Sequence, residues 1–405
     1  MTVRSTPPRL LSRRKKVAFA LLTLLAVLTL YELSARLLFF VKEGLNPYYL
    51  SYGFAPDVEW NANEQNGYSK FFPNTTRHQT VRGQIANIRI NSDGFRSRFD
   101  FAKPKPAGTI RIAALGGSST FGYEDLDDET YPAYLQQMLR ERIPGRTIEV
   151  LNLGIPQIRM DNIVALARSE LPALQPDLMT FYEGYNNAMM PKARHEAGLP
   201  YRIKDWFYFH SVGYRTLHAG LRSAYHNSAR LLNRDLAGTH GLDLPITLRR
   251  EQVEHFRRVV TEEFTRDLTA LADFAAQQRI PLIVVTQPMT LQQPHQPRWP
   301  TYDQEVANLR RELELSGRLT ARETVLLTHA DLQQSVRVLA GERRLLMVEG
   351  IGLLDEGRRE NMASIVHLTP QGNRRLTRGL VEAVLRSGVL DDSNVAGHSD
   401  RKRSP

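Results

Sequence analysis

The hydrophobic pattern from Thr109 onward alternates between two kinds of segment, short apolar runs rich in β-branched residues and longer amphipathic stretches of helical periodicity. Strand-like runs without polar alternation, separated by helices, are typical of a parallel sheet covered on both faces. The predicted strands are 109–115, 147–153, 178–183, 281–286 and 344–349. The predicted helices are 132–142, 161–174, 251–278 (one long helix or a helix pair) and 369–385. The pattern therefore predicts an α/β fold of three layers (αβα), with a doubly wound, mostly parallel five-stranded sheet over residues 109–388.

A second hydrophobic pattern lies near the start of the chain. Residues 17–41 are apolar except around Glu32 and Arg36. As a helix this segment would be roughly 37 Å long, enough to cross a hydrocarbon core of about 30 Å. Glu32 and Arg36, four residues apart, would pair on one helix face near the outer interface. We therefore predict one transmembrane anchor over residues 17–41. A cleaved signal peptide and a buried core helix are the alternatives, although residues 33–36 make a poor cleavage site.

The distribution of charge predicts how this anchor is oriented. The formal net charge is +10, and much of the excess lies in residues 1–16 and at 401–403. Because Lys/Arg-rich flanks stay cytoplasmic, residues 1–16 are predicted to be a basic cytoplasmic N-terminus. The protein would then be single-pass in the cytoplasmic (inner) membrane, with its main domain on the extracytoplasmic side. Terminal basic blocks fit this orientation better than a nucleic-acid groove, and no nucleic-acid-binding motif is present, so no nucleic acid is expected as a partner.

Four other segments depart from the alternating pattern. Residues 42–108 are rich in Pro, Asn and Gly and are predicted to be a linker and irregular extension, and residues 389–405 a flexible polar tail. Insertions at 188–250 and 289–342 follow predicted strand ends, so both could cover a site there. The first contains Trp206-Phe207-Tyr208-Phe209, and the second contains Trp299 and a predicted helix at 302–316. These aromatic side chains either anchor the insertions to the core or contact a substrate or the membrane surface.

The candidate chemistry begins at the turn after the first predicted strand, Gly116-Gly117-Ser118-Ser119-Thr120-Phe121-Gly122. Its glycines permit a tight turn that exposes the Ser118 hydroxyl and aims backbone N–H groups at one point. Such a turn could equally bind phosphate at a helix N-terminus, or be only a turn. The Walker lysine and the glycine spacing of a dinucleotide site are absent, and the chain has no cysteine for a thiol nucleophile or thiolate metal site.

Three more positions carry candidate roles. Gly154 ends the second strand, where a glycine lets a backbone N–H approach a ligand or simply makes a turn. Asn186 follows the third strand, where its side-chain amide could donate to an oxyanion or form an Asx-turn. His367 precedes the last predicted helix and would lie near the strand ends, within reach of the Ser118 proton.

Ser118, Gly154, Asn186 and His367 occur in the order and strand-end positions of the SGNH, or GDSL-like, hydrolases, which residues 109–388 resemble. The segment 91–96 also resembles the lead-in of membrane-anchored bacterial members. The resemblance implies a flavodoxin-like SGNH fold in which Ser118 is the nucleophile and His367 the general base and then acid. It further implies an oxyanion hole made by the Ser118 N–H, the Gly154 N–H and the Asn186 side chain, and an acyl-enzyme that water or another hydroxyl resolves.

The chain departs from the family pattern where an acid is expected. Gly117 stands in place of the Asp of the first block, Asn187 in place of the Asp of the third, and Ser364 at the position of the acid three residues before the histidine. Three outcomes are open. A Ser–His dyad could suffice, with Ser364 or a backbone carbonyl orienting the ring; the site could bind without turnover; or an upstream carboxylate could serve. The candidates for that carboxylate are Asp355, Glu356 and Glu360.

The sequence as a whole predicts a membrane-anchored SGNH-like esterase that hydrolyses acyl esters through a serine nucleophile. The acyl-ester substrate could be an acylated glycan or lipid, and no metal or organic cofactor is predicted. One alternative is an O-acyltransferase or deacetylase of envelope polysaccharide that uses the same Ser118 and His367. Another is a catalytically degenerate binding module on the same scaffold.

Overall fold

The computed structural model describes residues 12–43, 61–63, 67–71, 73–189, 203, 207, 211–214, 216–217, 221, 247–292, 296 and 298–391. The predicted tail beyond residue 391, most of the first insertion with residues 206, 208 and 209, and most of residues 1–16 lie outside the described residues. The strands are β1 Asn61–Asn63, β2 Tyr68–Lys70, β3 Thr76–Val81, β4 Gln84–Arg89, β5 Thr109–Gly116, β6 Thr147–Gly154, β7 Leu178–Tyr182, β8 Thr247–Arg249, β9 Leu282–Val285, β10 Arg318–Thr320 and β11 Leu346–Val348. The helices are α1 Arg13–Glu43, α2 Ser118–Phe121, α3 Tyr131–Arg142, α4 Met160–Leu174, α5 Tyr185–Met189, α6 Arg250–Gln278, α7 Tyr302–Ser316, α8 Ala321–Arg343, α9 Gly350–Asp355, α10 Arg358–Asn361 and α11 Pro370–Arg386.

Five strands form one sheet in the order β11-β9-β7-β5-β6, and every pairing in it is parallel. When the five strands are numbered 1 to 5 in chain order and the sheet is read from β6, the order is 2-1-3-4-5. This is the flavodoxin-like doubly wound topology, so the predicted fold class is confirmed. The direction of winding reverses between β5 and β7. Ligands of such sheets bind at the carboxyl ends of the strands beside this reversal, and Ser118 and Asn186 follow those two strands.

The sheet is covered on both faces because its central strands are apolar on both sides. All residues of β5 and β7 are buried. Ala113 and Leu115 of β5 pack in a core with α4, α6 and α8, whereas Ile112 and Ala114 pack in a second core with α3 and α11. The two cores make the three layers that the lack of polar alternation predicted.

The insertion at 289–342 contains more helix than its sequence pattern indicated. Its predicted helix 302–316 is α7, but a second helix of 23 residues, α8, follows it. The apolar pattern of α8 is interrupted by buried polar residues, among them His329 and Gln333. Periodicity alone misses such a helix, since polar side chains that find partners only in the folded protein look like surface positions in the sequence.

The described part of residues 42–108, expected to be irregular, contains two antiparallel strand pairs, β1–β2 and β3–β4. Arg82 and Gly83 connect β3 to β4 with φ values of 47° and 80°, the backbone of a two-residue hairpin turn. Phe71, Ile88 and Ile90 form a small apolar cluster with Phe121 of α2. The N-terminal extension therefore packs against the short helix that Ser118 begins.

The apolar helix α1 contains the predicted anchor. Residues 13–38 are long and apolar enough to cross a membrane, and most of their large apolar side chains are exposed. The Glu32 carboxylate accepts hydrogen bonds from the backbone N–H groups of Val212 (2.9 Å) and Gly213 (2.8 Å) and from the Ser211 hydroxyl (2.7 Å). It also pairs with Arg36, as the four-residue spacing predicted. The Glu32 carboxylate, which lies within an apolar helix, thus has hydrogen-bond donors supplied by the protein itself.

Candidate active site

Ser118 and His367 meet at the carboxyl end of β5. Ser118 begins α2 directly after the strand, and its Oγ lies 2.8 Å from His367 Nε2, although 249 positions separate the two residues. His367 lies shortly before α11. The first turn of α11 is fixed by the Thr369 side chain as N-cap and by Pro370. A neutral imidazole with its proton on Nδ1 accepts the Ser118 hydroxyl proton at Nε2, which is the arrangement required for general-base chemistry.

The opposite ring nitrogen faces a hydroxyl and a carboxylate. Ser364 Oγ lies 2.9 Å from His367 Nδ1, and Glu124 Oε1 lies 3.6 Å from the same nitrogen. The longer distance is that of an ion pair, so the direct hydrogen bond belongs to Ser364. Partial burial of Glu124 opposes its ionisation, but its interactions with His367 and a hydrogen bond from Ser364 outweigh this and lower its pKa. The Tyr123 ring stacks on the imidazole with 5.6 Å between ring centres.

Two of the three carboxylates suggested by the sequence, those of Asp355 and Glu356, have other partners. Asp355 accepts the backbone N–H of Tyr302 at 3.0 Å. Glu356 is exposed and pairs with Arg375 of α11. Glu360 lies on α10, and its backbone carbonyl accepts the Thr369 hydroxyl. Within the described part of the chain none of the three contacts His367.

The family pattern did not indicate Glu124, because it points to the segment before His367. That segment carries the family's acid, whereas Glu124 lies six residues after Ser118, in the loop that follows α2. An acidic residue close behind the serine was a signal in the sequence, but its relation to His367 depends on a contact between opposite ends of the domain.

Asn186 and Gly154, two of the donors predicted for an oxyanion hole, have different hydrogen-bond acceptors in the structure. Asn186 Nδ2 donates to the Ile158 carbonyl at 2.9 Å, and an amide of this kind has a second N–H for another acceptor. The Gly154 N–H donates to Asn152 Oδ1 at 3.0 Å. A Cβ at Gly154 would overlap the backbone of Phe121, so glycine is needed there for the close approach of α2 to β6.

Another backbone donor lies three residues beyond Gly154. Gln157 is exposed and has a left-handed backbone with φ of 61°, and its N–H has no acceptor among the residues that the structure describes. It precedes Ile158, whose carbonyl holds Asn186. No pattern in the sequence indicated this donor, because a glutamine is not the residue that a left-handed position favours.

Glu183 joins the Ser118 turn to the Asn186 turn. Its buried carboxylate accepts the backbone N–H groups of Gly184 and Asn186, both at 3.0 Å, and that of Gly117. Burial raises the pKa of Glu183 to about 7 in spite of these hydrogen bonds. The carboxyl group therefore fixes the relative position of the two strand ends that carry the serine and the amide.

Gln287, after β9, links the serine turn to the histidine segment. Its Nε2 donates to Ser119 Oγ at 3.2 Å, and its Oε1 accepts the Tyr185 N–H at 2.9 Å. Ser119 Oγ in turn donates to the carbonyl of Val366, the residue before His367. The Gln287 N–H donates to Gln333 of α8 at 2.8 Å, so the unpredicted helix also supports the site.

Arg96 holds the loop that follows α2. This buried side chain donates to the carbonyls of Phe121 (2.9 Å), Gly122 (2.5 Å) and Asp125 (2.8 Å), and it pairs with Asp127 at 3.0 Å. The segment 91–96, which resembles the lead-in of anchored family members, thus fixes the loop that contains Tyr123 and Glu124.

Replacing Arg96 with glutamine is expected to lower the free energy of unfolding by about 3–5 kcal/mol, because three buried carbonyls and the Asp127 carboxylate lose their donor. Urea unfolding followed by circular dichroism measures the change. Arg98→Gln is the matched control, since Arg98 pairs with the same Asp127 from a side chain that is 62% exposed. It should cost less than about 1 kcal/mol. Equal costs for the two variants would show that the buried contacts of Arg96 do not stabilise the loop.

Groups of three or more metal-binding side chains are absent among the residues that the structure describes. The groups that the structure places at this edge of the sheet are a hydroxyl, an imidazole, a carboxylate and amide donors. The fold and these contacts define a class of protein, a doubly wound α/β domain with a serine–histidine pair at its topological switch point.

Comparison with known proteins gives the family. Residues 114–304 match the model of the GDSL-like lipase/acylhydrolase family. The chain therefore contains a GDSL-like lipase/acylhydrolase domain. The matched range includes Ser118, Gly154 and Asn186, and His367 lies beyond it. No match to a curated protein was found.

Solved structures with similarity to this chain include a lipase/acylhydrolase, an acetylxylan esterase and an α/β hydrolase. A lipase/acylhydrolase from Enterococcus faecalis has 13% identity and a TM-score of 0.39, with 69% of this chain and 96% of that chain covered. An acetylxylan esterase from Geobacillus stearothermophilus has 14% identity and a TM-score of 0.39, with 69% and 94% covered. An α/β hydrolase from a Lake Arreo metagenome has 15% identity and a TM-score of 0.38, with 71% and 99% covered.

Proposed function

We propose that this protein is a serine esterase that hydrolyses acyl esters and is tethered to the cytoplasmic membrane by α1. The observation that supports this most is the 2.8 Å contact between Ser118 Oγ and His367 Nε2 at the carboxyl end of β5. A nucleophile and a base within hydrogen-bond reach, with the base held by further groups, is the arrangement of activated serine nucleophiles. The GDSL-like family match supports the same class of reaction.

The first half of the reaction forms an acyl-enzyme. Ser118 Oγ attacks the ester carbonyl carbon while His367 Nε2 takes the hydroxyl proton, so a tetrahedral oxyanion and an imidazolium form together. The Ser118 N–H and the second N–H of Asn186 are the donors for the oxyanion. The Gly154 N–H joins them only if it leaves Asn152, a requirement that the sequence did not anticipate. Collapse of the intermediate breaks the bond to the alcohol, which takes the proton from His367 and departs.

The second half releases the acyl group. Water gives a proton to His367 Nε2 and attacks the acyl-enzyme, and the second tetrahedral intermediate collapses to the carboxylic acid and the free Ser118 hydroxyl. A sugar hydroxyl in place of water would make the same site an O-acyltransferase. The Ser118–His367 contact favours turnover over a binding-only role, since a module without catalysis has no need of that geometry.

The proposed location follows from α1 and the charges that precede it. An apolar helix with a Lys/Arg-rich N-terminal flank orients that flank toward the cytoplasm. The esterase domain then lies on the extracytoplasmic side, where acylated glycans and lipids of the envelope are the ester substrates within reach.

A charged, membrane-impermeant fluorophosphonate tests the nucleophile and the orientation together. Added to intact spheroplasts that express the chain, it should label the protein at Ser118, as located by peptide mass spectrometry. Labelling only after lysis would reject the outward orientation and keep the nucleophile. Labelling elsewhere, or none in either sample, would reject Ser118 as the nucleophile. A cytoplasmic serine hydrolase of the same cells serves as the control for an intact membrane.

A further inference from the structure

We propose that Glu124 supplies the carboxylate that balances His367, from the loop of the nucleophile and not from the segment before the histidine. The proposal rests on the proposed function, since it assigns a positioning residue to the same reaction. The family pattern places this acid three residues before His367, where the chain has Ser364. A hydroxyl orients a ring nitrogen but brings no charge to the site.

The geometry places Glu124 and Ser364 on the same side of the imidazole. Ser364 Oγ lies 2.9 Å from His367 Nδ1, and it also hydrogen-bonds the Glu124 carboxylate. Glu124 Oε1 itself lies 3.6 Å from Nδ1. A proton on Nδ1 is therefore donated to Ser364, whose own hydroxyl proton is donated to Glu124. The serine bridges the ring to a carboxylate that lies within ion-pair distance.

The charge of Glu124 is needed at the step in which His367 becomes an imidazolium. A carboxylate within about 4 Å stabilises that cation and holds the tautomer with its proton on Nδ1. The side chains of His367 and Glu124 are 17% and 35% exposed, so solvent screens their interaction less than it screens a surface pair.

The loop is fixed well enough to hold a positioning residue. Arg96 binds carbonyls on both sides of Glu124, those of Gly122 and Asp125. Asn373 of α11 donates to the Asp125 carboxylate at 2.8 Å, which ties the loop to the helix that begins after His367. Arg96, from before the sheet, and Asn373, from the last helix, thus hold the loop that places Glu124 beside the imidazole.

Other titratable groups near His367 have different tasks. The carboxyl groups of Asp125 and Glu183 lie near enough for their charges to act on His367. Asp125 is bound by Asn373, and Glu183 is bound by backbone N–H groups of the serine and amide turns. Both carboxyl groups remain in a variant of Glu124, so a fall in kcat on replacing Glu124 with glutamine reports the charge of Glu124.

Glu124→Gln in the full chain is the test, with p-nitrophenyl acetate as the probe substrate. We expect kcat to fall by roughly 10²–10⁴-fold with KM little changed, because general-base assistance and imidazolium stabilisation are weakened. A fall in kcat with KM little changed would place the loss at the chemical step and not in substrate binding. Glu356→Gln, which changes an exposed carboxylate, should retain the rate of the wild type.

A second variant separates this role from a structural one. Ser364→Asp in the Glu124→Gln background restores a carboxylate at the family position, and it should recover at least about tenfold of kcat. Wild-type kcat in Glu124→Gln would overturn the proposal, and so would a loss of kcat that Ser364→Asp does not rescue. Ser118→Ala in the same assay tests the proposed function separately. If it lacks activity, the proposed function stands whether or not Glu124 has the role proposed here. Full activity of Ser118→Ala would mean that the proposed function itself fails.

Discussion

Turnover of p-nitrophenyl acetate is expected to fall by roughly 10⁴–10⁶-fold when Ser118 is replaced with alanine. Ser118 provides the only oxygen that the structure places on His367 Nε2 within the described part of the chain, at 2.8 Å. Without it no acyl-enzyme forms, and the oxyanion donors alone give a small residual rate. The measurement is the initial rate of p-nitrophenolate release by the purified full chain in detergent.

Ser316→Ala is the matched control for this change. Ser316 is an exposed serine at the end of α7, where its hydroxyl contacts the carbonyls of Glu312 and Arg318. Its replacement should leave the rate within twofold of the wild type. Comparable rates for Ser118→Ala and the wild type, with the fold of both verified by circular dichroism, would remove Ser118 from the reaction.

Replacing His367 with alanine is expected to have an effect of similar size, roughly 10⁴–10⁶-fold in kcat, because serine and histidine act as a unit in this chemistry. The hydroxyl then has no base, and the departing alcohol has no acid. The double variant Ser118→Ala/His367→Ala should be no slower than either single variant. Added imidazole should restore part of the rate to His367→Ala, since it can occupy the space of the lost ring.

His255→Ala provides the comparison for the histidine. His255 lies exposed on α6, where its ring contacts Arg258, and its loss should not change turnover. Additive losses from Ser118→Ala and His367→Ala would contradict a shared role. A His367→Ala variant with wild-type turnover would show that another residue activates the serine.

The departures from the family pattern have physical consequences at this site. Ser364 keeps the hydrogen bond to His367 Nδ1 that the family's acid would make, but it leaves the charge to another residue. A carboxylate in the loop of the nucleophile, held by Arg96, meets that need over a distance of 3.6 Å. The orientation of the base and the balance of its charge are thus divided between two side chains.

The two helices of the insertion at 289–342, α7 and α8, differ in how well the sequence predicted them. The segment 302–316 has an amphipathic pattern and a Thr301 capping box, and its bounds were predicted correctly. Helix α8 has a capping box as well, at Thr320 and Glu323, but its buried His329 and Gln333 obscure the apolar periodicity. His329 is bound by the Tyr302 hydroxyl, and Gln333 by Gln287, so the polar positions become understandable only once these partners are known.

The sequence by itself determined the features that local pattern and order along the chain encode. Apolar runs without alternation predicted the parallel sheet, and the strand-end positions of Ser118, Asn186 and His367 predicted where a site would lie. Tertiary structure alone decided which carboxylate faces His367, that the Gly154 N–H is bonded to Asn152, and that α8 supports the site through Gln333. The physical reason is that each of these depends on the distance and direction between side chains brought together by folding, and neither periodicity nor spacing along one strand or helix specifies such a contact.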